Sequence, residues 1–362
     1  MMIDSILGRY LSLRFFKTIM TVFAGIVGMV YVFDFVEMLR RCNGMQGVTA
    51  GFVAVLSLLR TPSVAEQILP FCVLFGTMMA FLDLTRKLEL IVARAAGVSV
   101  WQFLVPPVGI ALLIGILSVT LFNPLSAVMK QHADAIETRL FGRSGQDKGD
   151  TTLWIRQKSV DGEAILRAAH ASGAGTQLTS VTAYVYEPDG RFEERVEAKH
   201  AVLLPGVWEL ENAEISTPGE EARQVNTYML ATDLSPDRLG ENFLTPDSVP
   251  FWSLPRLREE SDTAGLDSTG FRLQYQTLLA RPLLLVAMVL IAAAFSLRFF
   301  RFGGIGQMVG GGLGAGFVLY LLTKMVADLG GSGVLSTPVA AWSPAVVGSL
   351  LGALALLNTE DG

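Results

Sequence analysis

The sequence predicts an α-helical polytopic membrane protein: six transmembrane helices, three before and three after one inserted all-β, jellyroll-like domain. Three observations predict this. Hydrophobic residues make up 51% of the 362 residues and charged residues only 17%, more apolar content than a soluble chain of this size needs for its core. Apolar runs long enough to cross a bilayer, about 20 residues each, crowd both ends of the chain. The middle reads like an ordinary soluble domain.

Residues 1–16 place Ile3, Leu7, Tyr10 and Leu11 at helical spacing beside Arg9 and Arg14, which suits a short interfacial helix. The spans follow at Thr18–Val36, Pro62–Leu82 and Trp101–Phe122, then at Leu273–Leu297, Gly304–Val326 and Val339–Leu357. In hydrocarbon each must be helical, because only a helix satisfies its backbone polar groups within one segment. The first run follows Arg9, Arg14 and Lys17 as a signal peptide would. No convincing small-residue cleavage site comes after it, so it is read as a retained helix. Lysine and arginine near the helix ends set the orientation. Arg9, Arg14, Lys17, Arg86, Lys87, Arg94, Arg298 and Arg301 outnumber Arg40, Arg41 and Arg60. Both termini of this inner-membrane protein are therefore expected on the cytoplasmic side, with the inserted domain outside. The expected division is 1–129, 130–269 and 270–362.

In the middle region, Thr152–Ile155, Ala164–Ala168, Val181–Tyr186, Arg195–Leu204 and Val207–Ile215 read as strands from their β-branched, aromatic or alternating patterns. Pro188-Asp189-Gly190 and Pro205-Gly206 read as turns. Short strands with tight turns suggest a sandwich or jelly roll. Asp233–Gly265, rich in Pro, Asp and Ser, reads as a connector returning to the membrane.

Several function classes find no support. The net charge of −5 leaves no footprint for nucleic acid. No Gly-x-x-x-x-Gly-Lys-[Ser/Thr] loop, His-Glu-x-x-His or Gly-x-Ser-x-Gly occurs. His132, His170 and His200 lack metal-ligand spacing, and Cys42 and Cys72 make no disulfide framework. The reading is a non-catalytic chain with no cofactor and no metal.

The loop between the second and third spans is the most informative short segment. Leu84, Leu88, Ile91, Val92 and Ala95 recur at helical spacing, so residues 84–99 are expected to form a helix with one apolar face. Arg86, Lys87, Glu89 and Arg94 surround that face, Gly97 offers a stop, and Trp101 marks the return to the interface. Such a helix is either a packed linker or a docking helix for a cytoplasmic motor.

Glu89-Leu-Ile-Val-Ala-Arg94-Ala-Ala-Gly97-Val-Ser99 resembles the Glu-Leu…Arg-Ala-x-Gly-x-Ser signature of the lipopolysaccharide export permease family LptF/LptG. The likeness extends over almost the whole chain. Two stretches resemble its LptG branch: Phe35-Val-Glu-Met-Leu-Arg-Arg41 and Leu234-Ser-Pro-Asp-Arg-Leu-Gly240. The resemblance implies a permease subunit of an ABC transporter. Its partners would be an LptF-type permease, an LptB-type ATPase dimer, an LptC-type membrane protein and an LptA-type periplasmic bridge, and its cargo lipopolysaccharide. It implies that 84–99 is the coupling helix, with Glu89, Arg94 and Gly97 as its key residues and Glu89 facing a basic residue of the ATPase.

Lipid A carries phosphates, which arginine forks match bidentately. Arg40 and Arg41, just beyond the first span, are candidate phosphate contacts or else interfacial anchors. Asp34 lies where relatives can carry a base; it would repel phosphate unless paired, with Arg41 or with a partner subunit. Arg281 and Lys324 are charges near span ends, either functional or snorkelling, and Lys324 is spaced to pair with Asp328. Gly310, Gly312, Gly314 and Gly316 form two small-xxx-small pairs, serving a lateral gate or static packing. Two other classes compete with the permease reading. A mechanotransmission or regulatory ABC subunit typically has four helices, with its domain between the first and second. A membrane enzyme needs a catalytic cluster at one face, and the sequence offers none.

Overall fold

The computed structural model describes residues 5–42, 48–141, 153–159, 162–172, 176–187, 191–219, 221–232, 245–263, 268–300 and 305–360. The chain divides into two compact units. One comprises residues 1–136, 247–255 and 269–362, and the other 137–246 and 256–268.

Among the described residues, six helices are long and apolar enough to cross a membrane. Helix α1 (Ser5–Cys42) runs unbroken from the N-terminal stretch through the first span. The expected separate interfacial helix is therefore the first turns of one long helix: no glycine-proline break or cap divides Arg14 from Thr18, and nothing in the backbone forces a bend. Helix α2 (Ala50–Arg86) starts well before the expected Pro62. Its N-cap is Thr49, whose Oγ1 accepts from the Phe52 amide at 3.3 Å, and Pro62 and Pro70 are carried inside it.

A short helix, α3 (Glu89–Ala95), precedes α4 (Val100–Leu117). Ser99 and Gln102 close a reciprocal capping box at the start of α4. The third span then passes through a π-helical turn at Ser118–Phe122 into α5 (Asn123–Phe141). After the inserted unit come α6 (Leu254–Thr263), α7 (Thr269–Phe300), α8 (Ile305–Gly331) and α9 (Thr337–Glu360).

Helix α7 is the centre of the membrane unit: Leu285, Ala287, Val289, Ala292 and Ala293 are fully buried. Lipid supplies no hydrophobic drive between helices, so close packing of small residues must do so. A Cβ on Gly115 of α4 would lie 2.6 Å from the Pro282 backbone of α7, and one on Gly76 of α2 would lie 2.6 Å from the Ile19 backbone of α1. Helices α1 and α8 instead leave apolar faces uncovered, with Phe33 and Val36 on one and Phe317 and Met325 on the other exposed.

The inserted unit is an antiparallel six-stranded sheet in sequential order: β1 (Leu153–Ser159), β2 (Gly162–Ser172), β3 (Gln177–Tyr186), β4 (Phe192–Leu204), β5 (Val207–Ser216) and β6 (Arg223–Ala231). The all-β character is as expected. Each described strand pairs with its sequence neighbour, so the described part is a meander. Strand β6 carries too few buried residues for alternation to reveal it in the sequence. The Pro205-Gly206 turn joins the paired Leu204 and Val207, with Gly206 at φ +82°. Thr152, Pro188-Asp189-Gly190 and Leu234–Gly240 lie outside the described residues. Trp208 is fully buried, and its indole donates to Gln157 Oε1 at 3.0 Å.

A bend line crosses this sheet. In β3 the buried residues are Leu178, then Val181, Ala183 and Val185; in β4 they are Val196 and Ala198, then Ala201 and Leu203; in β5 they are Trp208 and Leu210, then Ala213 and Ile215. The alternation skips one residue in each strand. Ser180 and Asn212, at φ +53° and +52°, sit in that row, and the pairing on either side keeps its register. A phase change shared by three strands bends the sheet without slipping it, which a one-strand bulge could not do.

Candidate functional site

The signature loop is built from two reversals. The first follows α2 at Leu88, whose φ is +62°, an uncommon conformation for a leucine. The second follows α3, where Gly97 adopts φ +83° and the Val98 amide returns to the Ala93 carbonyl at 3.2 Å. That is the six-to-one bond of a Schellman stop, which a glycine at this position permits.

The expected helix over 84–99 is thus corrected. Leu84 to Arg86 finish α2, α3 is two turns long, and Ser99 caps α4. The break at Leu88 also rotates the expected apolar face. Among the described side chains of α3, Leu90 is buried, while Leu88 before the helix and Val92 within it are 57% and 66% exposed, uncovered by the described parts of the chain.

Glu89 opens α3 and faces α1. Arg14 Nη1 donates to both of its carboxylate oxygens, at 2.9 and 3.0 Å, and the Tyr10 hydroxyl donates to Oε2 at 3.1 Å. The other arm of Arg14 pairs with Asp83 near the end of α2, and Lys87 Nζ approaches Asp83 at 3.4 Å. One guanidinium therefore joins α1, α2 and α3. Its fork geometry allows this, since parallel N–H groups reach two carboxylates at once. Arg94 falls within α3; its side chain lies outside the described part of the structure.

At the other end of α1, Arg40 and Arg41 are exposed and both lean on Glu37, at 3.0 Å each. Asp34 pairs with Arg60 of α2 at 3.7 Å, a partner within the chain other than Arg41, the intrachain alternative named from the sequence. In α8 the glycines fall on different faces. Gly312 and Gly316 are buried against Met78 and Leu74 of α2, whereas a Cβ on Gly310 or Gly314 would meet no atom within 4 Å. Lys324 and Asp328 are exposed on α8, and no ion pair within 4.0 Å joins these two described residues, contrary to the expected helical pair.

Arg281 does not stand free toward a ligand. It forms an ion pair with Glu66, and the side chains are 14% and 9% exposed. Asn123 Nδ2 also donates to Glu66 Oε1, at 2.9 Å. Sequence reasoning missed Glu66, Arg14 and Asp83. The signal for Glu66 was present, since it is the sole charged residue between Pro62 and Leu82 and a carboxylate at membrane depth demands a reason. Among the described residues no cluster of His, Cys, Asp or Glu could hold a metal ion.

The chain is 23% identical to the lipopolysaccharide export system permease protein LptG of Escherichia coli K12 over 330 residues, 90% of each chain. It is also 23% identical over 366 residues to the protein of the same description from Haemophilus influenzae, covering 97% of this chain and 95% of that one. The family described as lipopolysaccharide export system permease LptF/LptG matches residues 9–358, from before the Arg14 cluster to the end of the last span. On that match, the chain belongs to the LptF/LptG family of lipopolysaccharide export permeases.

Proposed function

We propose that this chain is the LptG-type subunit of an ABC transporter that takes lipopolysaccharide from the outer leaflet of the bacterial inner membrane and passes it to a periplasmic bridge. A separate cytoplasmic ATPase drives it. In this reading both termini and α3 are cytoplasmic and the sheet unit is periplasmic, as the lysine and arginine asymmetry favours. The partners are an LptF-type permease, an LptB-type ATPase dimer, an LptC-type membrane protein and an LptA-type bridge.

The observation that carries the proposal is the pair Leu88 and Val92, apolar and exposed beside a Glu89 fixed by Arg14. An apolar knob with a pre-oriented carboxylate is the chemistry of a docking helix, and a packed linker would bury those side chains. Arg94 and Gly97 belong to the same coupling element, Gly97 by ending it. The uncovered faces of α1 and α8, with Gly310 and Gly314, support a second permease lying against them, with the buried Gly312 and Gly316 holding α8 to α2 as the gate moves. Arg40, Arg41 and Lys324 are the cations best exposed to lipid A phosphates. Arg281 contributes to that role only if Glu66 releases it.

The isolated chain is expected to show no ATP hydrolysis, since it lacks a phosphate-binding loop. Copurification with the ATPase and the second permease should restore hydrolysis, and Val92→Asp should abolish recovery of the ATPase while leaving the chain folded. Robust turnover by the chain alone, or unchanged ATPase recovery with Val92→Asp, would sink the proposal.

A further inference from the structure

The stretch 247–255, where the chain re-enters the membrane unit after the sheet, is fastened to the third span by side chains at a defect in that span. Asn123 is followed by Pro124. Proline has no N–H for the Thr120 carbonyl four residues back, and the π-turn at Ser118–Phe122 already disturbs the helical ladder there. The Trp252 indole donates to that Thr120 carbonyl at 3.2 Å. Asn123 uses both ends of its amide. Its Oδ1 accepts from the Phe251 amide at 2.9 Å, and its Nδ2 donates to Glu66. Glu66 in turn holds Arg281 of α7. Gln131 Nε2 donates to the Ser248 carbonyl at 2.8 Å, the Phe251 ring stacks on Tyr275 at 5.3 Å, and Val249 and Leu254 are fully buried.

We infer that Glu66, Asn123 and Arg281 are positioning residues, a buried polar clasp that holds the return segment 249–254 on the bulged third span and ties both to α2 and α7. The inference rests on the permease reading for what the clasp serves. Helix α2 carries Glu66 near its middle and Asp83 seventeen residues on, close to its end, about 25 Å at 1.5 Å per residue. Asp83 belongs to the Arg14 cluster beside α3. A displacement of α3 thus reaches the return segment along one helix through a hydrogen-bonded chain, and the return segment continues covalently into the sheet unit. A network whose members are buried and mutually satisfied holds geometry in a way that apolar packing alone does not.

Asn123→Leu cuts the link to the Phe251 amide and strands no charge. Cys42 and Cys72 are buried, so a nitroxide attached through Ser253→Cys reports on the return segment in the full chain and in the reconstituted complex. With Asn123→Leu, the label is expected to become mobile, lipopolysaccharide transfer per ATP to fall about tenfold, and basal ATP hydrolysis to stay at the wild-type rate. Glu66→Gln keeps the acceptor without the charge and is expected to give an intermediate label mobility, which maintains a second arm if the leucine variant folds poorly. An immobile label in both variants overturns the clasp. A mobile label with undiminished transfer overturns its positioning role. Failure of the wild-type complex to move lipid counts against the permease reading, and the label arm still decides the clasp.

Discussion

Arg14 holds Glu89 with two hydrogen bonds of 2.9 and 3.0 Å across 75 residues of sequence. The carboxylate proposed to meet the ATPase is thus already oriented from within the chain. Glu89 is about one-third exposed, so the pair itself is worth only about 1 kcal/mol. Its value lies in fixing α3 against α1.

Glu89→Lys places an ammonium against Arg14 and removes the acid offered to a partner, and is expected to uncouple ATP hydrolysis from transport while the chain still inserts. The swap Arg14→Glu with Glu89→Arg rebuilds an intrachain pair and presents the wrong sign outward. It should recover thermal stability in detergent and remain uncoupled. Full recovery of coupling by the swap would mean that Glu89 acts through Arg14 alone.

Arg40 and Arg41 are expected to contact lipid phosphates. Charge-assisted contacts are worth about 1.5–3 kcal/mol each, so changing both to Glu should reduce photocrosslinking to lipopolysaccharide more than changing both to Gln. Double Lys, which keeps charge and loses the fork, should retain much of it. Glu37 now competes for both guanidinia, so Glu37→Gln should raise crosslinking. If crosslinking normalised to assembled complex is unchanged by double Glu, the arginines only hold the helix at the interface.

The buried pair makes a stability prediction. Glu66→Leu leaves the Arg281 guanidinium buried without its carboxylate and is expected to cost about 3–5 kcal/mol. Replacing both residues with Leu removes both charges and should cost far less, because an apolar pair carries no desolvation penalty. Unfolding in detergent, followed by near-ultraviolet circular dichroism, distinguishes the two; equal losses would show that the pair is not the relevant unit.

The glycines separate packing inside the chain from packing against a partner. Gly115→Ala and Gly76→Ala force a methyl onto neighbouring backbone and should each lower stability by about 1–3 kcal/mol. Gly310→Leu and Gly314→Leu should leave the isolated chain as stable as before and weaken its association with the second permease. Unaltered association would assign that face to lipid.

The six spans and the strands β1 to β5 were legible in the sequence because each rests on local periodicity or on unbroken apolar length, and both are properties of neighbouring residues. Gly97 as a stop was legible for the same reason. The break at Leu88 was not, since nothing local distinguishes a leucine that will take a left-handed conformation from one that continues a helix; the Arg14 pairs with Asp83 and Glu89 stand across that corner. That one residue decided which side of α3 faces outward. The sequence showed Glu66 as a charge in an apolar run but could not say what satisfies it, because Arg281 lies 215 residues away. Arg281 in turn read as a charge near a span end, either functional or snorkelling. Buried charges are satisfied by whichever helix packs beside them, and helix packing in lipid is set by shape complementarity at sites such as Gly115 against Pro282. The sequence therefore determined which segments cross the membrane and which residues are charged within them, and only the tertiary structure decided which of those charges meet one another and which remain exposed.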